Sequence, residues 1–347
     1  MTGFTASVVA ALLLLVPVTV VAEQSESCAR GVEQFTQQRY REAQSTLWEC
    51  VSSGTQTPEQ TLDLASTYRE IKNYDEGLER VANEMKRRHG DEDLIYLGAF
   101  LQFRRGQFEA SVALLNLAYK QNPKDWRLHQ LYALNYVEAG WVSAAEQEFD
   151  RAIKLKSDLP ELYYQLARYY YTMSEFSKSV TTSKKALALA PNYADVYDNL
   201  GLTYAGLGNF SASVENFERA IKLDQEHNVR DEWHLVDYGA SLMDRDPSKA
   251  QVLLQEALQM NSANATAYYE LGRTMQMLGR NSDAEANLKK AITYDPTYTN
   301  AYYILSTLAR KRGDRVVAAK YLAEFQRLSS QEKKKEISAQ VLSMRHR

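Results

Sequence analysis

Histidine, proline and cysteine are all scarce in this sequence, and neither sign of charge dominates it. Its 347 residues include 5 His, 7 Pro and 2 Cys, with 41 Lys and Arg against 44 Asp and Glu. A net charge of −3 argues against a general nucleic-acid binder, which needs a basic surface to meet phosphates. The two cysteines form no CxxC pair, and no P-loop, G-x-S-x-G or H-E-x-x-H sequence occurs. The histidines (His89, His129, His227, His234 and His346) are scattered, with no two at ligand spacing on one helix face. No metal site, cofactor or catalytic centre is therefore expected, and an enzyme is not the expected class. With so little proline, little of the chain reads as disordered. Long apolar runs are missing too, apart from Val8 to Val16.

What is present is a period. In residues 194–227, Tyr197, Leu200, Gly201 and Tyr204 are spaced by three, one and three, and Phe217 and Ala220 follow three apart. Positions i, i+3, i+4 and i+7 share one helix face. The first four residues therefore form a stripe on one helix, and Val214, Phe217, Ala220 and Ile221 form a stripe on a second. Gly208 marks the turn between them. Gly201 has no side chain and leaves room for a neighbouring helix. Such a helical hairpin cannot bury its stripes alone and must stack on copies of itself. Copies of the pattern begin at residues 24, 58, 92, 126, 160 and 194. Asn228 to Arg230 then shift the frame, and it resumes at 231, 265 and 299.

The pattern resembles the tetratricopeptide repeat, W-x2-L-G-x2-Y followed by A-x3-F and P over 34 residues. Here Tyr197 stands for Trp and Ser213 for Ala. The resemblance spans residues 24–332. It implies an all-α fold: a right-handed α-solenoid of about nine helix-turn-helix repeats in one elongated domain, with residues 333–347 as a capping helix and basic tail. It also implies a scaffold that binds a peptide or partner protein in a concave groove lined by the first helices. The residues that fall on the family's groove positions are Tyr96, Phe100, Phe103 and Leu134, then Tyr164, Arg168 and Tyr171, then Tyr269, Arg273, Tyr303 and Arg310. Tyr164 with Arg168, and Tyr269 with Arg273, would each set a ring beside a guanidinium, suited to a partner carboxylate. If the rings were buried against neighbouring helices, they would be core instead. No Lys occupies position 5 of any copy, which departs from the subgroup that clamps acidic C-terminal tails. His129 and His234 occupy position 4, an aromatic position in the family, and are expected to pack.

Residues 1–22 carry no charged side chain, and Val20-Val21-Ala22 resembles a signal-peptidase site. An exported protein of the cell envelope, periplasm or exterior is expected; the alternative is an uncleaved anchor. Cys28 and Cys50 are equidistant from Arg39, near the turn of the first hairpin. In an exported protein they are expected to form a disulfide, with two buried thiols as the alternative. Membrane contact is expected only through an uncleaved N-terminus or the basic tail. A self-assembling structural protein of the envelope, a homo-oligomer, is the alternative function.

Overall fold

The computed structural model describes residues 18–345. Among them it contains helices and no strand. The first helices of the hairpins are α1 (Val18–Thr36), α3 (Pro58–Ile71), α5 (Glu92–Arg104), α7 (Trp126–Glu138), α9 (Pro160–Thr172), α11 (Ala194–Gly206), α13 (Trp233–Leu242), α15 (Ala265–Met277) and α17 (Thr299–Arg312). The second helices are α2 (Tyr40–Ser53), α4 (Tyr74–Arg87), α6 (Phe108–Gln121), α8 (Val142–Leu155), α10 (Phe176–Leu189), α12 (Phe210–His227), α14 (Pro247–Met260), α16 (Asn281–Tyr294) and α18 (Arg315–Arg345). Helix starts at 58, 92, 126, 160, 194, 265 and 299 fall on the frame of the sequence period.

Residues 1–17 of the expected signal segment lie outside the described residues. α1 begins at Val18 and continues past Ala22. No described helix is long and apolar enough to cross a membrane. A separate capping helix after residue 332 is not what forms: residues 333–345 continue α18 without a break. One elongated domain was expected, but the helices gather into two compact units that divide between Asn135 and Tyr136.

In the first unit, Cys28 and Cys50 are joined by a disulfide, with their Cα atoms 5.0 Å apart. Both are buried. Thr57 starts α3 with a capping box: its hydroxyl accepts from the Gln60 N–H, and the Gln60 side chain accepts from the Thr57 N–H. Two donors at the helix start are thereby satisfied.

In the second unit the hairpin period has a visible physical cause. A Cβ built on Gly201 would sit 2.8 Å from ring atoms of Phe217. That ring is fully buried and stacks on Tyr238 with centroids 5.1 Å apart. Gly201 is therefore the gap into which Phe217 packs. Gly208 turns the chain at φ 73°, a conformation that glycine adopts without steric cost. The serine that replaces alanine in the motif has a role as well. Ser213 donates to the Gly201 carbonyl at 2.8 Å, and Ser179 to the Ala167 carbonyl at 2.9 Å. In the last hairpin the partners exchange, and Ser306 donates to the Ala318 carbonyl at 2.9 Å. The close helix approach is thus cross-linked by one buried hydroxyl in each of these hairpins.

Candidate functional site

Four first helices of the second unit, α9, α11, α13 and α15, carry a connected band of aromatic and charged side chains. On α9, Tyr164 and Arg168 are one helical turn apart. The guanidinium carbon lies 5.9 Å from the ring centroid, and Arg168 Nη1 donates to the Tyr164 hydroxyl at 3.1 Å. The Tyr164 ring also packs on Tyr193, with centroids 5.2 Å apart. On α15, Arg273 lies 5.7 Å from the centroid of Tyr269. Both ring–guanidinium pairs expected from the spacing are present.

Their electrostatic surroundings differ from the expectation. Arg273 Nη1 already donates to Glu270 Oε2 at 3.0 Å. Arg168 feels the carboxyls of Asp198 on α11 and Asp237 on α13. Both guanidiniums therefore already lie among carboxylates of the chain itself. The centre of the band is acidic. Asp198 is 7% exposed, and its Oδ1 has no hydrogen-bond partner among the described residues. Burial raises its pKa well above the ordinary carboxylate range, and the neighbouring Asp237 adds to this. Burial raises Asp237 as well, while its hydrogen bond with Asp198 and the charge of Arg168 pull it back. Burial likewise raises Glu270 against the pull of Arg273. Three carboxyls thus share two guanidiniums in a partly desolvated band.

The sequence of the same unit matches known families. Residues 160–193 and 194–227 match one family model described as Tetratricopeptide repeat, and residues 241–308 match a second of the same description. Two solved structures of repeat proteins superpose on the chain. A tetratricopeptide repeat protein from Parabacteroides merdae aligns with TM-score 0.58 at 14% identity, covering 72% of this chain and 98% of that one. The crystal structure of the APC/C hetero-tetramer Cut9–Hcn1 aligns with TM-score 0.59 at 16% identity, covering 86% of this chain and 58% of that one. At such identities these likenesses concern the fold alone. Residues 160–227 and 241–308 of this chain are tetratricopeptide repeats. A curated relative, DnaJ homolog subfamily C member 3 of Gallus gallus, is 31% identical over 87 residues. That match spans 25% of this chain and 17% of the relative's length.

The other expected groove residues are distributed unevenly. In the first unit, Tyr96 is 1% exposed and Phe100 is also buried. Both are packing residues, and neither lines an open face. The reason is Arg127, itself 3% exposed, whose guanidinium sits 4.8 Å over the Tyr96 ring. Arg127 donates to Asp93 and to Asp125 at 2.6 Å each and to the Pro58 carbonyl at 3.1 Å. This ion network covers the ring. Phe103 and Leu134 are half-buried, and Phe103 packs on Phe108 with centroids 5.9 Å apart. In the second unit, Tyr171 is half-buried, Tyr269 is buried, and Tyr303 is 54% exposed. Arg310 is exposed.

Asp198, Asp237 and Glu270 were not singled out by the repeat pattern as site residues. Asp198 does occupy groove position 5, and a carboxylate in that row beside Arg168 of the preceding copy was the available signal. His234, expected to pack, is buried but acts as a polar hub. Its Nδ1 lies 2.6 Å from Asp224 and its Nε2 lies 3.2 Å from Asp195. Burial alone would lower its pKa. The bonds to Asp195 and Asp224 overcome this and hold it up at about 11.

Proposed function

We propose that this chain is a non-catalytic scaffold that holds a segment of a partner protein across α9, α11, α13 and α15. A basic side chain of the partner meets the Asp198–Asp237 pair. The observation that carries this reading is the buried Asp198 carboxyl, with one oxygen unpartnered and a second carboxyl against it. Folding gains nothing from crowding two acids under one guanidinium, and each raised pKa registers that cost. A lysine or arginine arriving from outside supplies the missing donor and charge. Tyr164 and Tyr171, both half-buried, flank the acids with flat, amphipathic surface, and tyrosine is among the residue types that dominate interface energies. The repeat fold, which serves as a protein-interaction scaffold, supports the general reading.

We further propose that the scaffold works outside the cytoplasm, in the cell envelope or beyond. The disulfide in the first hairpin suits an oxidising compartment, and the uncharged apolar start of the sequence suits export. The test of the groove is selection from a random peptide library on the purified chain. Selected peptides enriched in Lys or Arg support the proposal. Enrichment of Asp and Glu, or no selection above background, overturns it.

A further inference from the structure

The insertion Asn228 to Arg230, which shifts the repeat frame, directly follows a lengthened helix. α12 runs for 18 residues, whereas α10 and α14 run for 14. The extra turn carries Asp224 and His227. Asp231 follows in the loop, and His234 lies in the first turn of α13. Asp195, in the first turn of α11, faces them across the hairpin junction. Asp195, Asp224, His227 and Asp231 line a pocket of about 240 Å³. One oxygen each of Asp195 and Asp231 and one ring nitrogen of His234 lie within 4.8 Å of one another.

The charge of this cluster does not balance. Asp195, Asp224 and Asp231 surround one imidazole, and no Lys or Arg forms an ion pair with any of them among the described residues. Even with the ring protonated, two negative charges are left over at a partly buried junction. Such charges are normally paired or bound to metal. The arrangement of the ring is also specific. His234 is 3% exposed, and Asp224 holds its Nδ1 at 2.6 Å. A carboxylate behind a histidine fixes the tautomer and directs the other nitrogen to a cation. That other nitrogen, Nε2, is 3.2 Å from Asp195 Oδ1. Two donors each about 2.0–2.2 Å from a tetrahedral zinc ion stand about that far apart.

We propose that Asp195, Asp231 and His234 form a binding site for a divalent transition-metal cation of the zinc type, with Asp224 as the group that orients the histidine. Binding replaces the proton on His234 Nε2, which leaves to solvent, while the three carboxylates stay ionised. Three protein ligands leave the fourth position to water or to a group on a partner. The ion would tie α11 to the loop and α13, so the insertion would create the site as well as accommodate it.

Isothermal titration of the full chain with Zn2+, after treatment with chelator, tests this at neutral pH. The proposal expects one equivalent bound, a higher melting temperature with Zn2+, and about one proton released, read from titrations in buffers of different ionisation enthalpy. Co2+ should give the visible absorption of a tetrahedral site. Asp195→Asn and Asp231→Asn should each weaken binding at least about tenfold, and Asp224→Asn by about 10- to 100-fold. His234→Ala should abolish it. If that variant does not fold, the two amide variants at the ligands decide. No stoichiometric uptake, or uptake unchanged in Asp195→Asn and Asp231→Asn, overturns the site.

Discussion

Replacing Gly201 by alanine separates the role of close packing from that of helix propensity. Alanine is a better helix former than glycine by about 1 kcal/mol, so an unobstructed site should gain stability. At Gly201 the new methyl would sit 2.8 Å from three ring atoms of Phe217. The ring cannot withdraw, because it is fully buried and stacked on Tyr238. Overpacking of this kind costs about 1–3 kcal/mol, so the net effect should be a loss of up to about 2 kcal/mol after the propensity gain. Gly98 is the matched control. A Cβ there meets Leu114 and Val81 at 3.4 Å, which is ordinary contact. Gly98→Ala should therefore stabilise by up to about 1 kcal/mol. Urea unfolding of both variants, followed by circular dichroism, gives the two signs. Adding Phe217→Leu should make Gly201→Ala less harmful, and a double-mutant cycle measures that coupling. If Gly201→Ala is as stabilising as Gly98→Ala, the close approach of the hairpin helices is not what the glycine serves.

Three further outcomes are expected. Reducing the Cys28–Cys50 bridge removes a cross-link between residues 22 apart and should destabilise the first hairpin by about 3 kcal/mol. Native-state hydrogen exchange with and without reductant would read this, and equal protection in α1 and α2 would contradict it. Arg127→Met leaves Asp93 and Asp125 without their buried cation and should cost about 3–5 kcal/mol in denaturant unfolding; a change below about 1 kcal/mol would show that the network contributes little. Burial, reinforced by Glu59, raises Asp63 from 3.8 to about 6. The folded state therefore holds this proton more tightly than the unfolded state, and the associated stability is lost as pH rises from about 4 to about 6. Asp63→Asn should melt higher than the parent at neutral pH and show a flatter profile across that interval. A lower melting temperature at neutral pH would refute the assignment.

The hairpin frame was legible because packing imposes it locally. Gly201 with Phe217, and Gly208 at the turn, report constraints within one repeat, and one repeat is all that a periodic pattern encodes. The disulfide was legible for the same reason, since its cysteines flank a single turn. The site chemistry was harder to read because it is assembled from different repeats. Arg168, Asp198, Asp237 and Glu270 stand on four separate helices and influence one another only after stacking. Asp195 lies in the first turn of α11, where an acid complements the helix start. Its approach to His234 depends on the extra turn of α12, which the three inserted residues did not announce. Tyr96 was misread because Arg127, which covers it, comes from the next repeat.

On the proposed function, the acidic band on α9, α11, α13 and α15 exists for a partner and not for the fold. Asp237→Asn tests it most directly. Burial makes the ionised form of Asp237 costly, so the amide should leave the melting temperature unchanged or raise it. A basic peptide selected on the parent chain, titrated calorimetrically into both proteins, should bind the variant at least about tenfold more weakly, a loss of about 1.4 kcal/mol. Unchanged peptide affinity together with a lowered melting temperature would mean that the band is structural, and the account of the groove would be wrong.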